Sequence, residues 1–164
     1  MEADRILEPA ELRRYADAIV KASLGVGKGD TLVVTAEPAH RELAVAVVDA
    51  GYRAGTLISD LSYVDPLAVR ARLEHGSAES LGVVSPWAER RLREIVKPNG
   101  ARAGITGESE PGYLDGIPPK RIAADRAGVA KRTAFYRRAN LDLKARWTSA
   151  AWPTDYWASQ VYPD

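Results

Sequence analysis

Apolar positions along the chain recur with two different periods, and the switches between them outline a fold. Behind Pro9, whose missing N–H costs nothing in the first turn of a helix, Leu12, Tyr15, Ala16, Ile19 and Val20 return at helical spacing. Leu24-Gly-Val-Gly-Lys-Gly-Asp30 closes that helix, and Thr31-Leu-Val-Val-Thr-Ala36 follows as a continuous β-branched run. Such a run suits a parallel strand covered on both faces. A second helical pattern spans roughly Ala39 to Arg53, with Leu43, Ala46, Val47 and Ala50 on one face. Gly55 ends it, and Thr56-Leu-Ile-Ser-Asp-Leu61 is the expected second strand. The three segments make a βαβ unit with a right-handed crossover.

Two further helices announce themselves by their starts. Asp65-Pro66 and Ser85-Pro86 each place a capping side chain before a first-turn proline, and Glu89 sits where the helix dipole favours an acid. The first helix runs to Gly76 and the second to Lys97-Pro98-Asn99-Gly100, after which Ala101 to Gly107 reads as a third strand. Glu108 to Pro119 is a Gly- and Pro-rich loop. From Pro119 to about Arg138, Ile122, Val129, Thr133 and Tyr136 keep one helical face, although Gly128 costs that helix about 1 kcal/mol relative to alanine. Lys144 to Trp152 is the last strand. Pro153-Thr154 breaks it, and Thr154 can cap a short helix carrying Trp157 and Val161. The expected architecture is a single α/β domain over residues 1–164. It has three layers, α/β/α, around a mostly parallel Rossmann-like sheet of about four strands.

Composition narrows what such a domain can do. The chain has no cysteine, which removes disulfides, thiolate metal sites and cysteine nucleophiles. The formal net charge is +1, against a dedicated nucleic-acid binder. No signal-peptide pattern and no membrane-length apolar run interrupts the charged N-terminal stretch, and a cytoplasmic setting is expected. Charge is nevertheless uneven. Lys120, Arg121, Arg126, Lys131, Arg132, Arg137, Arg138, Lys144 and Arg146 face only Asp125 and Asp142, so Lys120 to Arg146 is a basic segment.

Candidate chemistry is sparse. The glycine cluster at Gly25 to Gly29 follows a helix and precedes a strand, the reverse of a phosphate loop, and reads as a helix cap and turn. The turn Ala36-Glu37-Pro38-Ala39 lacks the glycines that cradle a dinucleotide. His40 and His75 lie on separate predicted helices without metal-site spacing and are expected to be solvated surface histidines. Asp60 and Asp65 stand near the end of the second strand, where they could form an acid/base pair. Their plainer reading is a turn residue and a helix cap. No nucleophile elbow surrounds any serine.

Several local sequences, in this order, resemble the N-terminal domain of the metallo-aminopeptidases of the aminopeptidase T type, peptidase family M29. They are Leu12-Arg-Arg-Tyr-Ala-Asp-Ala-Ile-Val20, Gly27-Lys-Gly-Asp-Thr-Leu-Val-Val34, Ala50-Gly-Tyr-Arg-Ala-Gly55, and Trp152-Pro-Thr-Asp-Tyr-Trp-Ala158 with Val161-Tyr-Pro-Asp164. The resemblance implies that the metal ligands and catalytic carboxylate belong to a C-terminal domain beyond this chain. Two divalent ions there (zinc, cobalt or magnesium) would activate water and polarise the scissile carbonyl of a peptide. It carries no catalytic, cofactor-binding or metal-ligating residue onto any position here. This chain is then expected to be inactive alone, to pack on the catalytic domain, to shape substrate access and to support a homodimer. Trp147, Trp152, Trp157 and Tyr162, crowded at one end of the chain, are the interface candidates. Part of this tryptophan surface is expected to pack under the sheet, and the part around Trp157 and Tyr162 to stay exposed or meet a second copy. Two other readings stand beside it. One is a free-standing α/β module whose basic helix binds an anionic partner; the other is a small hydrolase using Asp60 and Asp65.

Overall fold

In the computed structural model, which describes residues 7–161, the order of elements follows the hydrophobic pattern closely. Helix α1 (Pro9–Asp17) starts at its proline and relaxes into a π-helical segment, Ala18–Ser23. Strand β1 (Thr31–Ala36) leads through a short 3-10 turn, Pro38–His40, into helix α2 (Arg41–Ala54). Strand β2 (Ile58–Tyr63) begins two residues later than its β-branched run suggests. Thr56 is drawn into a buried hydroxyl pair instead, its Oγ1 lying 2.8 Å from Ser59 Oγ. Helices α3 (Pro66–His75) and α4 (Pro86–Ile95) start at their prolines. Asp65 accepts from the N–H groups of Leu67 and Ala68, and Ser85 from that of Ala88.

Strand β3 (Gly100–Thr106) is followed by the long loop and helix α5 (Pro119–Arg132). The single helix expected to reach Arg138 is two. It breaks at Thr133, whose hydroxyl bonds back to the carbonyl of Val129, and resumes as α6 (Ala134–Leu141). Strand β4 (Arg146–Ala151) and helix α7 (Asp155–Val161) complete the described chain, and Thr154 Oγ1 caps α7 by accepting from the Trp157 N–H.

The four strands form one parallel sheet in the order β2-β1-β3-β4. Ala101 lies beside Leu32 and Ala103 beside Val34, so the strands share faces in register. One face carries Leu32, Val34, Ala36, Ala101, Ala103, Ile105 and Ala150 into the main core. There Ala16, Ile19 and Val20 from the first helical stretch, and Leu43, Val47 and Ala50 from α2, cover them. The opposite face is covered more thinly. Helix α4 crosses β1 and β3 there and buries Ile95 and Val33, and α3, α5 and α6 assemble beside it, completing the three layers.

Polar clamps hold this outer layer. Asp125, nearly buried on α5, forms an ion pair with the Arg72 guanidinium, accepts a hydrogen bond from its Nη2 and takes another from the Gly82 N–H. Gly128 is tolerated in mid-helix because the turn at Gly82 presses against it. A Cβ built on Gly128 would lie 2.5 Å from the Gly82 Cα. At the amino edge of the sheet Arg146 joins three segments, donating to Asp30 at 3.0 Å, Gly100 O at 3.1 Å and Gly25 O at 3.3 Å. The bond from Arg146, with another from the Gly27 N–H, holds the Asp30 carboxyl below its usual range.

Candidate functional site at the carboxyl edge of the sheet

The strand order reverses between β1 and β3: β2 was added on one side of β1 and β3 on the other. In open α/β sheets the crevice outside the carboxyl ends of two such strands is where ligands bind. Here the segments leaving β1 and β3 are Glu37-Pro38-Ala39-His40 and Gly107-Glu108-Ser109, and they are laced together. His40 is fully buried. Its Nδ1 accepts from the Glu37 N–H at 3.2 Å, so Nε2 carries the proton and donates to the Gly107 carbonyl at 2.8 Å. The Glu37 carboxylate in turn accepts from the N–H and hydroxyl of Ser109, at 3.3 and 2.6 Å. Thr154, ahead of α7, donates to the Glu108 carbonyl.

The expectation of a solvated histidine is therefore overturned at His40. Its ring lies between the two loops with both nitrogens occupied, and it is neither a free base nor an open metal ligand. Gly107 makes this packing possible, since a Cβ there would run into the Trp152 carbonyl and fall 3.2 Å from His40 Nε2. His75, at the end of α3, is exposed. Asp65 is a helix cap, and Asp60 is paired with Arg91 of α4 at 2.5 Å. The two aspartates serve separate structural tasks.

Beside the loop bridge, on the thinly covered face, a cavity of about 260 Å³ opens over the carboxyl halves of β1, β3 and β4. Thr35, Gly104 and Ser149 lie side by side across its floor, and Arg102 and Trp147 form the row before them. Glu37 and Tyr113 also line it. The long loop is fixed at its rim by Arg70, which donates to the carbonyls of Tyr113 and Asp115, both at 2.9 Å.

The tryptophans divide. Trp152 is only 2% exposed and belongs to the core of this one chain. Trp147 and Trp157 are 49% and 41% exposed, and Tyr162 lies outside the described residues. Much of the basic segment is internally committed. Arg121 donates to the carbonyls of Leu73 and Gly76, Arg132 pairs with Glu89, Arg138 with Asp142, and Arg146 with Asp30. Among the described residues no group of three or more His, Asp or Glu side chains comes together as a metal site. With both His40 nitrogens used and Asp60 ion-paired, the acidic and imidazole groups described here do not fit a two-metal centre. None of the described helices is long and apolar enough to cross a membrane.

These features define a doubly wound α/β domain with its open crevice at the strand-order reversal. A family model described as thermophilic metalloprotease (M29) matches residues 9–164, and the chain belongs to that family. Curated relatives include aminopeptidase AmpS of Bacillus subtilis, 28% identical over 153 residues. Another is aminopeptidase T of Thermus thermophilus, 23% identical over 152. Each alignment takes in 93% of this chain but 37% of the relative, so the chain spans little more than a third of their length. Among solved structures, wild-type AmpT from Thermus thermophilus superposes with a TM-score of 0.82 at 22% identity. It covers 94% of this chain and 38% of that one, and shows the same fold.

Proposed function

We propose that the chain acts as the N-terminal domain of an M29 aminopeptidase, with release of N-terminal amino acids depending on a metal-bearing domain that this sequence does not contain. The observation that carries this reading is the family match over residues 9–164, set against relatives that are aminopeptidases of nearly three times the matched length. The side chains support it. At the crevice His40, Glu37 and Ser109, each able to move a proton, are engaged with one another or with backbone. In this role the domain is a scaffold that packs on the catalytic half, borders its substrate entrance and contributes to a homodimer. Half-exposed Trp147 and Trp157 are its available aromatic contact surface. A reducing cytoplasm suits a chain without cysteine.

The purified chain, offered leucyl anilide with zinc, cobalt or magnesium, is expected to show hydrolysis no faster than the metal alone and to retain no stoichiometric ion after desalting. Metal-stimulated turnover by the chain alone would overturn the reading.

A further inference from the structure

Arg102 is the one large charged side chain on the floor of the carboxyl-edge cavity, and it makes no hydrogen bond or ion pair among the described residues. Its posture is defined nonetheless. A Cβ placed on Gly104 would lie 3.2 Å from both Nη1 and Nη2 and 3.3 Å from Cζ. Near-equal distances to all three atoms mean that the guanidinium lies face-on over the glycine. An edge-on approach would leave Cζ clearly farther than the nitrogens. The residue two positions on, having no side chain, thus gives the guanidinium a flat seat, with the in-plane N–H fork left for another partner. A planar fork of this kind matches a carboxylate with two parallel hydrogen bonds.

The rest of the lining narrows the ligand. Glu37 also lines the cavity, and its carboxylate, held by Ser109 at the adjoining loop bridge, adds a negative charge beside it, which opposes a dianionic phosphate and favours a ligand that also bears a cationic group. Val64, Pro66 and Val69 form apolar wall. At about 260 Å³ the space falls below the ~300 Å³ at which sites for larger ligands begin. We propose that this cavity binds a free apolar α-amino acid, its carboxylate on Arg102 and its ammonium toward the Glu37 side of the charge balance. The inference deepens the aminopeptidase reading, because the ligand is the chemical class such an enzyme releases. Binding is tested on this chain alone, so its failure leaves the aminopeptidase assignment untouched.

The experiment is an NMR titration of the labelled chain with leucine, leucinamide, N-acetyl-leucine and inorganic phosphate, following the Gly104 amide and the Trp147 indole. Leucine is expected to bind saturably, and leucinamide, lacking the carboxylate, about tenfold more weakly or worse. N-acetyl-leucine, without the ammonium, is expected to fall between them, and phosphate not to displace leucine. Arg102→Gln should melt with the parent chain, since its side chain makes no hydrogen bond or ion pair among the described residues, yet lose leucine affinity about tenfold. Arg102→Lys, which keeps the charge but not the fork, should recover only part of it. Unchanged leucine binding in Arg102→Gln, equal binding of leucine and leucinamide, or displacement by phosphate would each overturn the assignment.

Discussion

Trp152 is the tryptophan on which the end of the domain depends, and replacing it with alanine measures that directly. The ring is 2% exposed and joins the main core with Ile105 and Ala150, while the backbone N–H of Trp152 continues the sheet by donating to Thr106 O at 2.8 Å. A buried aromatic of this size removes ~150–250 Å² from water. At ~25 cal/mol per Å² this corresponds to ~4–6 kcal/mol, and truncating core aromatics costs ~3–5 kcal/mol in practice. Trp152→Ala should therefore destabilise the chain by about 4 kcal/mol, a large share of the ~5–15 kcal/mol typical of a domain. Trp157→Ala, from a ring 41% exposed on the last helix, should cost clearly less, ~2–3 kcal/mol. Urea unfolding followed by far-UV circular dichroism avoids a signal that the substitution itself removes. With a slope of ~2 kcal/mol per molar urea, the midpoint of Trp152→Ala should fall by about 2 M. A loss below ~1 kcal/mol, or equal losses for the two variants, would refute the placement of Trp152 in the core.

Two other perturbations test different contacts. Gly128→Ala gains ~1 kcal/mol of helix propensity, but its Cβ would meet the Gly82 Cα at 2.5 Å, a backbone atom with little freedom to retreat. Overpacking of this kind costs ~1–3 kcal/mol, so thermal melting should show net destabilisation; a higher melting temperature would mean that α5 and the Gly82 turn are not in contact. Asp30 supplies the pH dependence. Its folded carboxyl is held below the ordinary value of 3.8 by its hydrogen bond from Arg146. Its contribution is thus complete above that pH and lost as pH falls through the lower folded value. The stability gap between the parent chain and Asp30→Asn should be widest near neutrality and close progressively below pH 3.8, and a gap independent of pH would contradict the Asp30–Arg146 bond.

The fold was legible where one physical signal governed alone. Thr31–Ala36 is apolar or β-branched at every position and became an inner strand with those limits. The prolines at positions 66 and 86 fixed two helix starts because a cap and a first-turn proline leave few alternatives. Where two signals competed, local pattern lost to tertiary contact. Thr56 has strand propensity but satisfies a buried hydroxyl with Ser59, which delays β2. The apolar face running from Ile122 to Tyr136 is continuous, yet Thr133 bends the helix by bonding its own preceding turn. Gly128, counted in the sequence as a cost to the helix, is where backbone meets backbone across forty-odd residues, a separation no local window contains.

The site was less legible for the same reason, in sharper form. His40 sits next to arginine and glutamate in sequence, which suggests solvent, but the bond that buries it is made to the Gly107 carbonyl, in the segment leaving β3. Arg102 interrupts an otherwise small and apolar strand, Gly100–Thr106, and that interruption is the signal sequence reading passed over. A charged residue inside a parallel strand must either find a partner or face an opening. Here Gly104 gives it a seat without giving it a partner. The carboxyl edge therefore separates two kinds of polar group. His40, Glu37 and Ser109 are joined to one another or to backbone as structure, whereas Arg102, a planar guanidinium, makes no hydrogen bond or ion pair among the described residues. An edge arranged in this way suits the ligand recognition proposed for it better than acid/base catalysis. That is the division of labour expected under the proposed reading, in which the reaction centre belongs to a separate metal-bearing domain.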